Sequence, residues 1–246
     1  MTFSVEWQLL PNRPWLPHLN NLVLYGFTCV LLYFTLLRWL RSERIAFWGS
    51  LIFAAHPTHA EVVANIKSRD ELLCFIFFLL TAWALECKRL RLAAALFSLC
   101  LMSKEGGLAY LGVLPLVLYY FCDLRLKDSL RRCVGLLIPS TIFLMVHEWV
   151  IVHATRPKMP YSYLDNALVD APDGLRRLAT ALWVQGEYLK TLFVPVRLSY
   201  DYSYAQIPIV GPFHPQVLAV LLVLGLALMV LWNGLPRRSL SALGLA

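Results

Sequence analysis

An all-α, polytopic helical membrane protein is what this sequence predicts, and three observations predict it. The chain is 59% hydrophobic and only 15% charged, outside the range of soluble globular domains. Its apolar residues gather into runs close to the length of about 20 residues that a helix needs to cross a bilayer core. Its basic residues fall in short segments between those runs, a pattern that sets membrane orientation rather than binding nucleic acid.

In chain order the expected spans are 19–38, 45–60, 71–87, 91–104, 107–122, 133–152 and 215–233, about seven crossings. The segment around 178–195, which contains ATALWVQGEYLKTLFVP, carries Gln185, Glu187 and Lys190 in its middle and reads as an interfacial or re-entrant helix. Arg38, Arg41 and Arg44 follow the first run, Lys88, Arg89 and Arg91 the third, Arg125, Lys127, Arg131 and Arg132 the fifth, and Arg237 and Arg238 the last. If each run crosses once and 153–214 stays on one side, all four clusters share one face, which the positive-inside rule makes cytoplasmic. HPTHAE at 56–61, SKEGG at 103–107 and LSYDYSYAQIPIV at 198–210 then share the external face. The N-terminus, MTFSVEWQLLPNRPWLPH, lacks a basic segment followed by an apolar core and cleavage site, so a cleaved signal peptide is not expected. Six cysteines with no CxxC spacing do not read as a disulfide framework or a zinc site.

Each polar motif has a structural and a chemical reading. In HPTHAEVV the spacing places His56 and His59 on one helical face, with Pro57 in a first turn or marking a break before it. These residues cap two spans, hold a metal, or, with Lys67 and Arg69, receive an anionic head group. In SKEGG, Lys104 is a compact charge suited to a phosphate, and Glu105 can hold it or transfer a proton. Gly106 and Gly107 permit a turn or a close backbone approach. The plainer alternative is a snorkelling lysine at a span end. In LSYDYSY, Asp201 stands among Tyr200, Tyr202 and Tyr204, either as part of an aromatic belt or as a sugar-stacking surface. His18, Asn20 and Asn21, ahead of the first span, fall on the same side.

HPTHAEVVANIKSRDELLCFIFFLL, LCLMSKEGGLAYLGVLPL and LSYDYSYAQIPIV resemble the membrane part of the transmembrane and tetratricopeptide-repeat O-mannosyltransferases. The resemblance covers about residues 18–232 and is specific in those three motifs. It implies a GT-C fold and transfer of a sugar from a polyprenyl-phosphate donor, dolichyl-phosphate mannose in eukaryotes, to a Ser or Thr hydroxyl of a protein acceptor. It implies donor-phosphate contacts at Lys104, Arg69, His56 and His59, with Glu61, Asp70 and Glu105 ordering the basic groups. Asp201, Tyr200 and Tyr202 would line the sugar or acceptor side, and a divalent metal is compatible with the family. The expected membrane is the endoplasmic reticulum in a eukaryote or the inner membrane in a bacterium.

Against that family the chain is expected to be N-terminally incomplete. Relatives carry one more span and an acidic external loop that supplies the catalytic base or holds the metal, and they carry repeats after the membrane part. Residues 1–17 read as the remnant of that loop, 18–234 as the transmembrane domain with 153–214 external, and 235–246 as a cytoplasmic tail. With the family's acid unassigned here, Glu61 and Glu105 are the candidates for it. The alternatives of a different class are a non-catalytic membrane partner and a transporter. Ionisable groups gathered at span ends rather than through the bilayer depth count against the transporter.

Overall fold

The computed structural model describes residues 8, 15–122, 124–153, 167–196, 198 and 206–234. Among these, regular structure is entirely helical. The chain divides into two compact units, Met1–Ala154 and Thr155–Ala246.

The first unit opens with α1, Trp15–Leu40, followed by α2, Glu43–Ala55. Arg41 reverses the chain between them in the left-handed region, at φ 52°, while its N–H still reaches Leu37 O at 3.0 Å. Ser42 then caps α2 through its side chain, so a two-residue connection makes α1 and α2 antiparallel neighbours. The short α3, His59–Ala64, and one 3-10 turn, Ile66–Ser68, lead into α4, Arg69–Glu86. The turn from α4 to α5, Leu90–Ser103, is a Schellman motif: Arg89 N–H bonds Ala84 O at 2.8 Å and Lys88 N–H bonds Leu85 O at 3.1 Å. Lys88, at φ 58°, holds the position where glycine is usual, and its charge suits the negative end of the helix. A 3-10 segment, Glu105–Ala109, then precedes α6, Tyr110–Phe121. The unit ends with α7, Leu126–Cys133, and, through another 3-10 turn, α8, Leu137–His153.

α4 is the centre of this unit. Cys74, Ile76, Phe78, Leu79, Ala82 and Leu85 are buried along it, against Phe97 and Leu101 of α5, Leu114 and Leu118 of α6, and Leu31 and Leu32 of α1. By contrast, Leu22, Phe27 and Phe34 of α1, Trp48 and Ile52 of α2, and Ile138, Met145 and Trp149 of α8 are exposed. An apolar exterior around a packed interior is the arrangement that lipid rather than water stabilises. Four of the buried hydroxyls are returned to their own helices. Thr28, Thr35, Thr81 and Ser140 each donate a hydroxyl to the carbonyl four residues back at 2.6 to 2.8 Å.

One end of this unit gathers the basic residues. Arg38 Nε donates to Glu86 Oε2 at 2.7 Å, and Arg132 Nη1 reaches Leu85 O at 3.3 Å and Glu86 O at 3.4 Å. Trp39 stacks on Phe121 with centroids 4.9 Å apart. Three of the four basic clusters thus meet where α1, α4 and α6 end; Arg237 and Arg238 lie outside the described residues.

The second unit pairs α9, Gly174–Phe193, with α10, Pro215–Gly234. Asp173 caps α9 by accepting from Arg176 N at 2.7 Å, and Pro215 opens α10, where its missing N–H costs nothing. Ala179, Val210 and Val217 form the buried contact. Gly186 is what lets the helices meet, since a Cβ there would lie 2.3 Å from Val220 Cγ2. The charges inside α9 satisfy one another: Glu187 accepts from Trp183 Nε1 at 3.3 Å and pairs with Lys190 at 3.2 Å.

Three helical stretches are long and apolar enough to cross a membrane: Trp15–Leu40, Leu126–His153 and Pro215–Gly234. The remaining apolar helices are shorter, and the twenty-residue α9 is not among the three.

Candidate functional site

The opposite end of the first unit collects HPTHAE and SKEGG, beginning where α2 stops. His56 leaves the helix in an extended conformation, φ −69° and ψ 125°, because the proline that follows disfavours the α region for it. The expectation that His56 and His59 share one helical face is corrected: Pro57 breaks the helix, and only His59 belongs to α3. The two rings nevertheless sit 5.8 Å apart, and His56 Nδ1 lies 2.7 Å from Thr58 Oγ1.

His59 turns inward. Its Nδ1 is 2.7 Å from Phe53 O and 3.0 Å from Tyr25 Oη, and its ring lies 4.2 Å from that of Phe53. A carbonyl can only accept, so Nδ1 carries the hydrogen and Nε2 keeps the lone pair. Burial pushes the pKa of His59 below the ordinary histidine value, so at neutral pH it is an uncharged clamp between α1, α2 and α3.

Arg69, only 5% exposed, opens α4. Its Nε donates to Asn21 Oδ1 at 3.0 Å and its Nη2 to Pro17 O at 3.3 Å, while Asn21 Nδ2 donates to Asn65 O at 3.1 Å. Asn65 in turn accepts from Lys67 N at 3.1 Å. This chain of bonds fastens the start of α1 to the start of α4 and fixes the KSRDE turn.

Lys104 ends α5 in an extended conformation and forms an ion pair with Glu71 of α4. Its neighbour Glu105 reaches the other way, to His147 Nε2 of α8 at 3.2 Å. Two pairs, Glu71 with Lys104 and Glu105 with His147, therefore join α4 to the end of α5 and the following 3-10 segment to α8. Glu105 and Glu71 are exposed and Lys104 is partly so. Asp70 accepts from the Glu71 backbone N–H at 3.0 Å, and Glu61 is exposed on α3. Gly107 serves close packing: a Cβ there would lie 3.0 Å from the sulfurs of both Cys74 and Cys100.

Glu71, His147 and Tyr25 are the members that the sequence reading passed over. His147 had a signal, an ionisable group inside an apolar run; Tyr25 had none, one tyrosine among many in a span. Tyr200, Asp201 and Tyr202 lie outside the described residues. Among the described residues no group of three or more His, Cys, Asp or Glu comes together to hold a metal ion.

Helical throughout its described residues, with an apolar exterior and helices long and apolar enough to cross a bilayer, the chain is a helical membrane protein with paired polar side chains at one end of its first unit. No family model matches the chain, and no solved structure matches it. Curated proteins do match. The chain is 31% identical over 163 residues to the protein O-mannosyl-transferase F38B6.6 of Caenorhabditis elegans, covering 65% of this chain and 22% of that one. It is 26% identical over 231 residues to the mouse protein O-mannosyl-transferase TMTC2, covering 85% and 28%. It is 26% identical over 211 residues to human TMTC4, also a protein O-mannosyl-transferase, covering 69% and 27%. By sequence the chain is a relative of the transmembrane and tetratricopeptide-repeat O-mannosyltransferases, as its three motifs indicated. It spans between a fifth and a third of the length of these relatives.

Proposed function

We propose that this chain is the membrane-embedded core of a glycosyltransferase that moves mannose from a polyprenyl-phosphate or dolichyl-phosphate donor to a Ser or Thr hydroxyl of a protein acceptor. The observation that carries the reading is Lys104. Its ammonium has three N–H donors and, among the described residues, one carboxylate partner, Glu71, at a partly exposed helix end. A phosphate oxygen can join or replace that carboxylate at little cost, because an exposed ion pair is weak. The relatives, each a protein O-mannosyl-transferase by name, supply the reaction class.

In this mechanism the acceptor hydroxyl attacks the anomeric carbon as the bond to the phosphate oxygen breaks. A carboxylate takes the hydroxyl proton, and Lys104 neutralises the charge that develops on the departing phosphate. Glu105, exposed and held by His147, and Glu61 are the candidate bases. Arg69, His56 and His59 brace the donor side, and Asp201, Tyr200 and Tyr202 face the sugar or acceptor. The protein is multi-pass, with residues 18–234 as its transmembrane domain and 153–214 on the external face. Its basic end faces the cytoplasm and its polar end the lumen of the endoplasmic reticulum or, in a bacterium, the periplasmic side.

Reconstituting the chain in proteoliposomes with a polyprenyl-phosphate mannose and a Ser/Thr peptide tests this. Labelled mannose should appear on the peptide, and Lys104→Ala should remove transfer without changing membrane insertion. Normal transfer by that variant would falsify the role of Lys104. Donor binding by Lys104 without transfer would instead favour a non-catalytic partner that keeps the donor site.

A further inference from the structure

Directly beneath the Lys104–Glu71 pair lie two groups that the proposed chemistry leaves unused. Cys74, in the second turn of α4, and Cys100, near the end of α5, have Sγ atoms 3.4 Å apart, and Cys100 Sγ lies 3.3 Å from Cys74 O. They are 4% and 0% exposed. The backbone of Gly107 closes over both sulfurs at a distance no Cβ could share. α4 and α5 are joined at their far end by the Schellman turn, whereas at this end they are held by packing and by the exposed Lys104–Glu71 pair. Thiols held sulfur to sulfur need to close only to about 2.05 Å to bond.

We propose that Cys74 and Cys100 form a disulfide that ties α4 to α5 one helical turn from Glu71 and Lys104. When the ends of α4 and α5 that only packing and the exposed Lys104–Glu71 pair hold together open locally, a thiolate of one cysteine attacks a small-molecule disulfide such as oxidised glutathione and expels one glutathione thiolate. The second cysteine's thiolate then attacks the mixed disulfide and expels the other half. Two cysteine thiols lose two electrons and two protons, and one oxidised glutathione becomes two reduced ones. The bond fixes the spacing of the two helix ends that present Lys104 and Glu71. Its formation does not depend on which reaction those residues serve.

The test uses the full chain in nanodiscs. After incubation with oxidised glutathione the protein is unfolded in detergent and labelled with a polyethylene glycol maleimide. Two of its six thiols should be lost to labelling and recovered on reduction, and a non-reducing peptide map should join the Cys74 and Cys100 peptides. Cys74→Ser and Cys100→Ser should each abolish the cross-link. Full labelling of all six thiols in the oxidised wild-type chain overturns the proposal. So does a glutathione adduct that persists on either cysteine, or a cross-link between a different pair.

Discussion

The two ends of the first unit use charge differently. At the basic end, Arg132 points at the terminal carbonyls of α4, Lys88 sits in the Schellman turn and Arg38 pairs with Glu86 in the last turn of α4, so the cations gather at the negative end of one helix. At the polar end, Lys104 and Glu105 answer other side chains, Glu71 and His147, on different helices. Backbone carbonyls have no alternative partner in an apolar surrounding, whereas an exposed carboxylate does. Cations at the first end close a helix terminus; the Lys104–Glu71 pair at the second is the exposed contact on which the proposed donor site rests.

Replacing single cations tests that difference, first at the polar end. Lys104→Ala is expected to lower mannose transfer by about 100-fold or more, the scale of losing one charge-stabilising group in a transition state, with unchanged protein yield in the membrane; transfer assays on reconstituted protein check it. Arg69→Met removes a buried group that Asn21 depends on. It should destabilise the unit by about 1–3 kcal/mol, read as earlier thermal unfolding in detergent.

In the second unit, Gly186→Ala forces a methyl onto Val220 and should cost about 1–3 kcal/mol. Val220→Ala in the same chain should recover part of that loss. Arg38→Ala breaks an exposed ion pair at the basic end and is expected to cost at most about 1 kcal/mol while leaving transfer intact; a large loss of transfer would show that the two ends are not separate in function.

The smallest effect concerns pH. Burial makes His59 bind its proton more weakly in the folded protein than in the unfolded chain. Stability is therefore full above the ordinary histidine value and declines as the pH falls below it. His59→Asn keeps a side-chain N–H for Phe53 O and removes the titration. It should flatten that acid limb in thermal melts, and an unchanged slope would assign the limb to another group.

How much of this was legible in the sequence varies with the kind of residue. The span expected at 71–87 is the helix Arg69–Glu86, 91–104 is Leu90–Ser103, and 215–233 is Pro215–Gly234, because apolar runs bounded by charge define helices in lipid locally. The run 45–60 overreached, since Pro57 stops α2 at Ala55. Lys104 and Arg69 could be singled out as charges beside apolar runs. That Glu71 rather than its neighbour Asp70 meets Lys104, and that Glu105 turns to His147, depends on how α4, α5 and α8 are rotated about their axes. Hydropathy does not encode that rotation.

By itself the sequence determined the helical class, most helix boundaries, the clustering of basic residues between spans and the family resemblance. All of these follow from short-range composition, or from motifs that survive without a neighbour. Only the tertiary structure decided which charges pair across helices, that His59 is a neutral clamp and that two distant cysteines touch. It also decided that Gly107 and Gly186 are needed for space rather than for a turn. Contacts between residues tens of positions apart are set by the packing of whole helices, and no local pattern in the chain carries that information.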